Sequence, residues 1–262
     1  MKKLLLACLV LSLMIGVCGC NMENNSQDIN TSGVISAAEE VVLTDRQKEI
    51  LTKKGLPADY EALSVSEKSA IVEIEKMLRV LEEKYGVPFV YAGYIAKSPL
   101  ENQQLLAYPA GGDEMTDVCT VEKKMVDGQE TYEDDYINIL VRKTYTDYLL
   151  KYMNEKLGEG TVKLYATITR TSLAPDRIEE DGIPGNVAAS NMIFLDGAAV
   201  DEAAYTAFLK DLGAWLREQQ LYGMNQVILL KPDNFLYVTQ YNYTDYLSDE
   251  YYTKREDCDV QR

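Results

Sequence analysis

Residues 64–95, SVSEKSAIVEIEKMLRVLEEKYGVPFVYAGYI, predict an amphipathic helix followed almost at once by a strand. Ser64 and Glu67 stand three residues apart and form the capping box that begins many helices. Gly86 ends the helical pattern, and the β-branched and aromatic residues at 89–95 indicate a strand. The apolar side chains of the helix recur every three or four residues, as expected for one face against a core: Ile71, Ile74, Leu78, Leu81 and Tyr85.

The same order of helix, glycine and strand occurs three times along the chain: Gly86 before Phe89, Gly158 before Val162, and Gly223 before Val227. The pattern is either a diverged repeat or the general tendency of helices to end at glycine, and we favour the latter. The other predicted strands follow one another in adjacent runs, which favours antiparallel pairing over parallel βαβ units. The sequence therefore predicts an α+β fold, with an antiparallel or mixed β-sheet and amphipathic helices packed on one face.

The remaining elements follow from periodicity and turn residues. Asp127-Gly128 is a turn signal for a tight hairpin. Residues 136–141, YINILV, indicate a strand, and residues 235–241 indicate the hairpin partner of a buried strand at 227–230. The other predicted helices are 44–55, 144–157 and 201–220, and the other predicted strands are 105–108, 118–126, 162–168 and 192–195.

The N-terminus carries an export signal. Lys2 and Lys3 precede an apolar run at residues 4–17, which is too short for a transmembrane helix and typical of a secretory signal. The run ends in Val17-Cys18-Gly19-Cys20, which resembles the lipobox of bacterial lipoproteins. That resemblance implies cleavage after Gly19, a palmitate-type diacyl lipid on Cys20, and a protein held on the extracytoplasmic side of the cell membrane. The alternative is an ordinary secretory signal in which Cys20 is incidental.

Three regions follow from this assignment. Residues 1–19 are the predicted signal peptide. Residues 20–43 are the lipidated cysteine and a flexible tether, because Asn, Ser, Gln, Asp and Thr dominate there and large apolar side chains are few. Residues 44–262 are a single α+β globular domain, with residues 44–86 as its helical preface.

The charge balance excludes several classes of partner. The 262-residue chain has 26 Lys and Arg against 42 Asp and Glu, a formal net charge of −16. Loss of Lys2 and Lys3 with the signal peptide lowers the charge to −18. Because like charges repel and no basic patch stands out, nucleic acid and other polyanions are not expected as partners.

The composition also limits the chemistry. The chain contains no histidine, which rules out a Ser-His-Asp triad, a Cys-His dyad and any histidine-ligated zinc site. Paired carboxylates, as in glycosidases, remain open, as do Lys and Tyr chemistry. No catalytic residue, metal ligand set or cofactor site is predicted. Of the cysteines, Cys8 and Cys18 leave with the signal, so that Cys119 and Cys258 either form a disulfide or stay as free thiols.

Two further stretches are candidate sites. The irregular residues 172–190 carry four carboxylates that can coordinate Ca²⁺, but their spacing matches no EF-hand, and a solvated loop is favoured. Tyrosine is abundant, with 19 copies, and Tyr237, Tyr241 and Tyr243 form a candidate interaction surface near the C-terminus. The alternative is that these rings only border the core.

The favoured function is a non-catalytic binding or interaction module of the cell envelope. It is tethered to the bilayer through Cys20 and binds an envelope protein or a wall ligand. A first alternative is a carboxylate-dependent envelope hydrolase acting on glycans, which needs a cleft with two facing carboxylates. A second alternative is the solute-binding component of a transporter, which would have two α/β lobes around a cleft.

Overall fold

The structure is a computed structural model that describes residues 42–99 and 101–261. The predicted signal peptide, Cys20 and nearly all of the tether lie outside the described residues. Among the helices of the described ranges, none is long and apolar enough to cross a membrane. The helices are α1 (Asp45–Lys53), α2 (Val65–Tyr85), α3 (Tyr136–Leu157) and α4 (Glu202–Glu218). The strands are β1 (Phe89–Ile95), β2 (Gln104–Pro109), β3 (Cys119–Val126), β4 (Gln129–Asp134), β5 (Val162–Thr171), β6 (Val187–Leu195), β7 (Tyr222–Leu230) and β8 (Tyr252–Asp257).

The N-terminal half, residues 42–135, is an antiparallel sheet of β1 to β4 in chain order with α2 on one face. The predicted capping box is present, since Ser64 and Glu67 exchange side-chain to backbone hydrogen bonds. The helix ends at Gly86, whose φ of 70° is left-handed. The predicted hairpin turn is also confirmed, because Asp127 and Gly128 both have positive φ, the requirement of a type I′ turn.

The helical preface forms part of the core of this half. α1 and the loop after it contribute Ile50, Leu51 and Leu63 to the same buried cluster as the α2 stripe and the strands. The preface is therefore continuous with the packing of the first sheet.

Helix α3 corrects one sequence prediction. Residues 136–141 are not a strand but the first turns of α3, which runs without interruption to Leu157. The apolar density of YINILV has a physical cause: Tyr136 lies in the core of the N-terminal half, whereas Val141 and every fourth residue after it lie in a second core. A helix that is apolar on two sides mimics the pattern of a buried strand.

The C-terminal half, residues 136–261, contains a mixed sheet in the order β5-β6-β7-β8. The β6–β7 pair is parallel and is connected through α4, and the other pairs are antiparallel. Helices α3 and α4 cover one face through a core that includes Tyr145, Leu149, Phe208 and Leu212. With one antiparallel and one mixed sheet, the predicted α+β class is confirmed.

The other face of this sheet is covered by residues 231–251, here named the C-terminal segment. It is not the predicted strand: it contains short 3₁₀ turns at Phe235–Tyr237 and Tyr243–Leu247, and β8 is the hairpin partner of β7. Phe235 and Val238 are buried against the sheet. The Asn242 side chain accepts from the Thr239 backbone at 2.7 Å, which turns the chain locally. The β-branched and aromatic residues of this stretch imitated a strand, but its buried residues, Phe235 and Val238, stand three apart rather than two.

Three smaller corrections follow. β6 begins at Val187 rather than at residue 192, and β4 had no counterpart in the prediction. Gly223 does not end a helix, because α4 ends at Glu218 and Gln220 takes the left-handed conformation with a φ of 54°. Gly223 lies inside β7, where a Cβ atom would stand 1.9 Å from the Ala189 carbonyl oxygen. That glycine is required for the close approach of β6 and β7.

Candidate functional site

A cleft of about 580 Å³ lies between the two halves of the described chain. Four segments that are distant in sequence form its walls: the loop between β2 and β3, the N-terminal part of α3, strand β5 and the C-terminal segment. The loop contributes Met115 and Thr116, and the C-terminal segment contributes Gln240 and Tyr243. This convergence makes the cleft the main candidate site.

Arg142 of α3 fastens the β2–β3 loop to the helix. Its guanidinium donates to the Thr116 carbonyl oxygen and forms an ion pair with Asp117. A planar guanidinium that reaches two acceptors restricts the geometry more than a single hydrogen bond would. Arg142 therefore sets the position of one wall, and its charge is already balanced by Asp117.

Asp135 is the carboxylate at the mouth of the cleft that has no salt bridge within residues 42–99 and 101–261. Its Oδ1 accepts the Thr120 backbone N–H at 2.6 Å. Burial raises the pKa of Asp135, with the nearby Asp134 charge adding to the effect. The Asp135 side chain is nevertheless exposed to solvent in the cleft, so its burial is one-sided and comes from the protein atoms beneath the carboxylate. The remaining charges, Lys143 and Asp147, pair with each other along α3.

Lys163 of β5 holds the C-terminal segment against the sheet. Its ammonium donates to the Phe235 and Val238 carbonyl oxygens at 2.6 and 2.8 Å and lies 4.7 Å from the centre of the Phe235 ring. Burial lowers the pKa of Lys163, because desolvation penalises the charged ammonium, and the Asp196 charge only partly opposes this effect. The neighbouring Tyr165 stacks on Tyr243 with ring centres 4.9 Å apart, which fixes Tyr243 as a wall of the cleft.

The three tyrosines of the predicted interaction surface therefore have different positions. Tyr243 is half-buried in the cleft wall, whereas Tyr237 and Tyr241 are 66% and 55% exposed. Tyr241 donates its hydroxyl to Asp113 in the β2–β3 loop, which connects the C-terminal segment to the N-terminal half. The exposed Met115, on the same loop, adds an apolar side chain at the cleft.

The other predicted sites lie elsewhere. Cys119 is buried in the core of the N-terminal half, Cys258 packs against the core of the C-terminal half, and both are free thiols. In the irregular stretch, Glu180 pairs with Lys151. No group of three or more His, Cys, Asp or Glu side chains within residues 42–99 and 101–261 is arranged to hold a metal ion. In the acidic stretch Glu133-Asp134-Asp135, Asp134 pairs with Lys84 and Glu133 pairs with Lys124.

Apart from Tyr243, the residues that build the cleft were not predicted from the sequence. Asp135, Asn138 and Arg142 fall on one side of α3, but their helical spacing was hidden by the assignment of residues 136–141 to a strand. The cleft-lining residues of β5 were assigned to a strand, and nothing in the sequence marked β5 as the edge of its sheet. Asp135, Asn138 and Arg142 are spaced by three and four residues, which places them on one face of a helix. Assigning residues 136–141 to a helix would have grouped them as a candidate site.

Comparisons with known proteins give no assignment. No protein-family model and no curated protein matches this chain. Among solved structures, it is similar to a DUF5037 family protein from Ruminococcus gnavus, at 12% sequence identity and a TM-score of 0.33. The match covers 63% of this chain and 78% of that chain.

Proposed function

We propose that the protein is a lipid-anchored extracytoplasmic binding module that holds an envelope protein or a wall ligand in the cleft between its two halves. The observation that carries this proposal is the convergence of four separate segments on one cleft of about 580 Å³. Three of the four charged side chains that line it are in ion pairs, Arg142 with Asp117 and Lys143 with Asp147, which suits recognition. The anchoring part of the proposal rests on the resemblance of residues 17–20 to a lipobox.

The cleft gives less support to a glycan hydrolase. Glycosidases need two carboxyl groups about 5–10 Å apart. Asp135 and Asp147 both line the cleft, but they belong to one stretch of helix and its cap, twelve residues apart, which separates their backbones by about 18 Å. Asp117 is held by Arg142. The transporter alternative is also weaker, because the sheet of the N-terminal half is entirely antiparallel rather than α/β.

Metabolic labelling tests the anchor. Cells that express the full chain are fed an alkyne analogue of palmitate, and the labelled protein is detected after a click reaction. The wild-type protein and Cys119→Ser are expected to carry label, whereas Cys20→Ser is expected to carry none and to leave the membrane fraction. Equal labelling of Cys20→Ser would contradict the anchor.

Photo-crosslinking tests the binding site in the same cells. A benzophenone amino acid replaces exposed Tyr237 of the C-terminal segment, three residues before the cleft-lining Gln240, or, as the control, Val65, which is 87% exposed at the start of α2. A binding module is expected to give a discrete adduct from position 237 and none from position 65. An adduct from both positions, or from neither, would contradict the proposed site.

A further inference from the structure

Strand β5 presents its backbone edge to the cleft. Five consecutive residues, 164 to 168, all line the cavity. Successive side chains of a strand point to opposite faces of the sheet: Leu164 and Ile168 pack into the helix-covered core, whereas Tyr165 packs against the C-terminal segment. One cavity can contact all five residues only along the edge of the strand.

This edge has no strand beside it in the described chain. In the order β5-β6-β7-β8, the one strand neighbour of β5 is β6. Alternate N–H and C=O groups of an edge strand point away from the sheet and can pair with another strand. The edges at β4 (QETYED) and β8 (YTKRED) are highly charged, which discourages such pairing. The edge at β1 (FVYAGYI) is uncharged but contributes no residue to the cleft. Residues 164–169 of β5, LYATIT, carry no charge.

The α3 wall of the cleft has a length that matches the cleft-lining part of β5. The five cleft-lining residues of β5 span about 17 Å as an extended strand. The lining part of α3, from Asp135 to Asp147, rises about 18 Å. The cleft is thus a groove between a strand edge and a helix, with room for about five residues of extended chain. This is the arrangement in which a peptide adds a strand to an exposed sheet edge.

We propose that the groove binds an extended polypeptide segment as an additional strand on β5, with a basic side chain of that segment facing Asp135. The proposal deepens, and rests on, the proposed function, because it names the ligand class of the same cleft. A row of outward N–H and C=O groups is complemented by another backbone rather than by a compact small molecule. The basic side chain follows from charge: Arg142 and Lys143 are already paired, whereas Asp135 has no salt bridge in the described ranges.

The test uses the full mature chain in detergent micelles and peptides of defined sequence. The probe is the acetylated and amidated hexapeptide Val-Thr-Val-Lys-Val-Thr. One comparison peptide has Glu in place of Lys, and two others carry N-methyl groups on alternate residues, in the two possible phases. Fluorescence anisotropy of labelled peptides gives affinity, and hydrogen exchange with mass spectrometry reports on the β5 backbone.

Strand addition predicts a specific pattern. The Lys peptide slows hydrogen exchange in residues 162–171, and N-methylation in one phase abolishes binding while the other phase is tolerated, because only one side of a strand faces β5. The Lys peptide binds about two- to fivefold tighter than the Glu peptide, as expected for a partly exposed ion pair. Asp135→Asn, which keeps an acceptor for the Thr120 N–H, removes that preference.

Two protein variants locate the site. Thr146→Trp fills the groove from α3 and is expected to weaken binding at least tenfold, whereas Thr206→Trp, on the exposed face of α4, leaves affinity unchanged. Circular dichroism checks that both variants fold. If Thr146→Trp does not fold, the two N-methylated peptides decide the question with wild-type protein alone.

The outcomes separate this inference from the proposed function. No saturable binding of any peptide up to about 1 mM, or equal binding of both N-methylated peptides, overturns strand addition. If the position-237 adduct nevertheless forms in cells, the cleft binds a ligand of another class and the proposed function stands. If the adduct is absent as well, both fail.

Discussion

Asn191 on β6 and Asn225 on β7 lie opposite each other in the parallel strand pair, and the Asn191 side-chain amide donates to Asn225 Oδ1 at 2.8 Å. Each residue is only 2% exposed. Asn191 also donates to the Tyr145 hydroxyl of α3, and Asn225 donates to the Cys258 carbonyl oxygen. The pair connects α3, the two central strands and the C-terminus, and it fixes the register of β6 and β7, because a slip would leave buried amides unpaired.

Asn225→Ala is expected to lower the free energy of unfolding by about 2–4 kcal/mol, because it removes one of the two buried acceptors of the Asn191 amide and the donor to the Cys258 carbonyl oxygen. Urea denaturation measures the change. The control is Asn102→Ala, whose amide makes an exposed hydrogen bond to Glu122, and its cost should stay below about 1 kcal/mol. Equal losses in the two variants would contradict a stabilising role for the buried pair.

Gly223→Ala should prevent folding or cost more than about 3 kcal/mol, since the new Cβ would strike the backbone of β6 and the residue has a φ of 130°. Gly160→Ala is the matched control: its φ is 77°, but no heavy atom lies within 4 Å of the added Cβ. That change isolates backbone strain and should cost about 1 kcal/mol. Thermal unfolding followed by circular dichroism compares the two, and similar melting temperatures would refute the close-approach explanation.

Lys163→Met is expected to loosen the C-terminal segment while preserving the rest of the fold. The methionine fills the space of the lysine stem but cannot donate to the Phe235 and Val238 carbonyl oxygens. Hydrogen exchange should accelerate in residues 235–247 and remain unchanged in β1 to β4. Lys254→Met, which removes a lysine with an exposed ion pair to Glu202, is the control. Unchanged exchange in residues 235–247 would show that other contacts hold the segment.

Asp135 gives a pH-dependent prediction. Because burial raises its pKa above the ordinary 3.8, the fold favours the protonated form. The resulting stabilisation of the folded state is complete below pH 3.8 and is lost as the pH rises through the pKa of the folded state. Ionised Asp135 therefore opposes folding at neutral pH. Asp135→Asn should therefore melt at a higher temperature than wild type near neutral pH, and the difference should shrink below pH 3.8. A difference that is constant across this range would contradict the assignment.

The two cysteines are expected to differ in reactivity. Burial raises the pKa of Cys119 to about 12 and also raises that of the less buried Cys258. Native protein treated with iodoacetamide should be alkylated first at Cys258, and Cys119 should react only after denaturation. Intact mass of the exported protein should not increase on reduction, because both thiols are free in the structure. A mass gain on reduction would instead indicate a disulfide.

The sequence was sufficient where local signals and tertiary packing agree. The helix from Ser64 to Gly86 and the turn at Asp127-Gly128 were predicted because a capping box, a glycine and a hairpin turn each act within a few residues. It was insufficient where a segment contacts two partners. The start of α3 contacts two cores, and the C-terminal segment packs on the face of the sheet through 3₁₀ turns without pairing as a strand.

The candidate site was harder to predict than the fold. Its walls come from residues separated by more than a hundred positions, such as Met115 and Tyr243. Their proximity depends on the Lys163 and Arg142 contacts with backbone carbonyls, which leave no pattern in the sequence. Tyr237 and Tyr241 were predicted to lie on a surface and are exposed, but the groove lined by Tyr243 of the same segment follows only from the position of β5 at the sheet edge.

Helix α3 begins in one core and continues in the other, since Tyr136 packs with the first sheet and Val141 to Met153 with the second. A single continuous 22-residue helix therefore connects the two halves, in place of a flexible linker. Moving the halves apart would require bending this helix or disrupting one of the two cores into which it packs. The continuous helix therefore sets the width of the groove in advance, so that the proposed ligand would not need to order the two walls on binding.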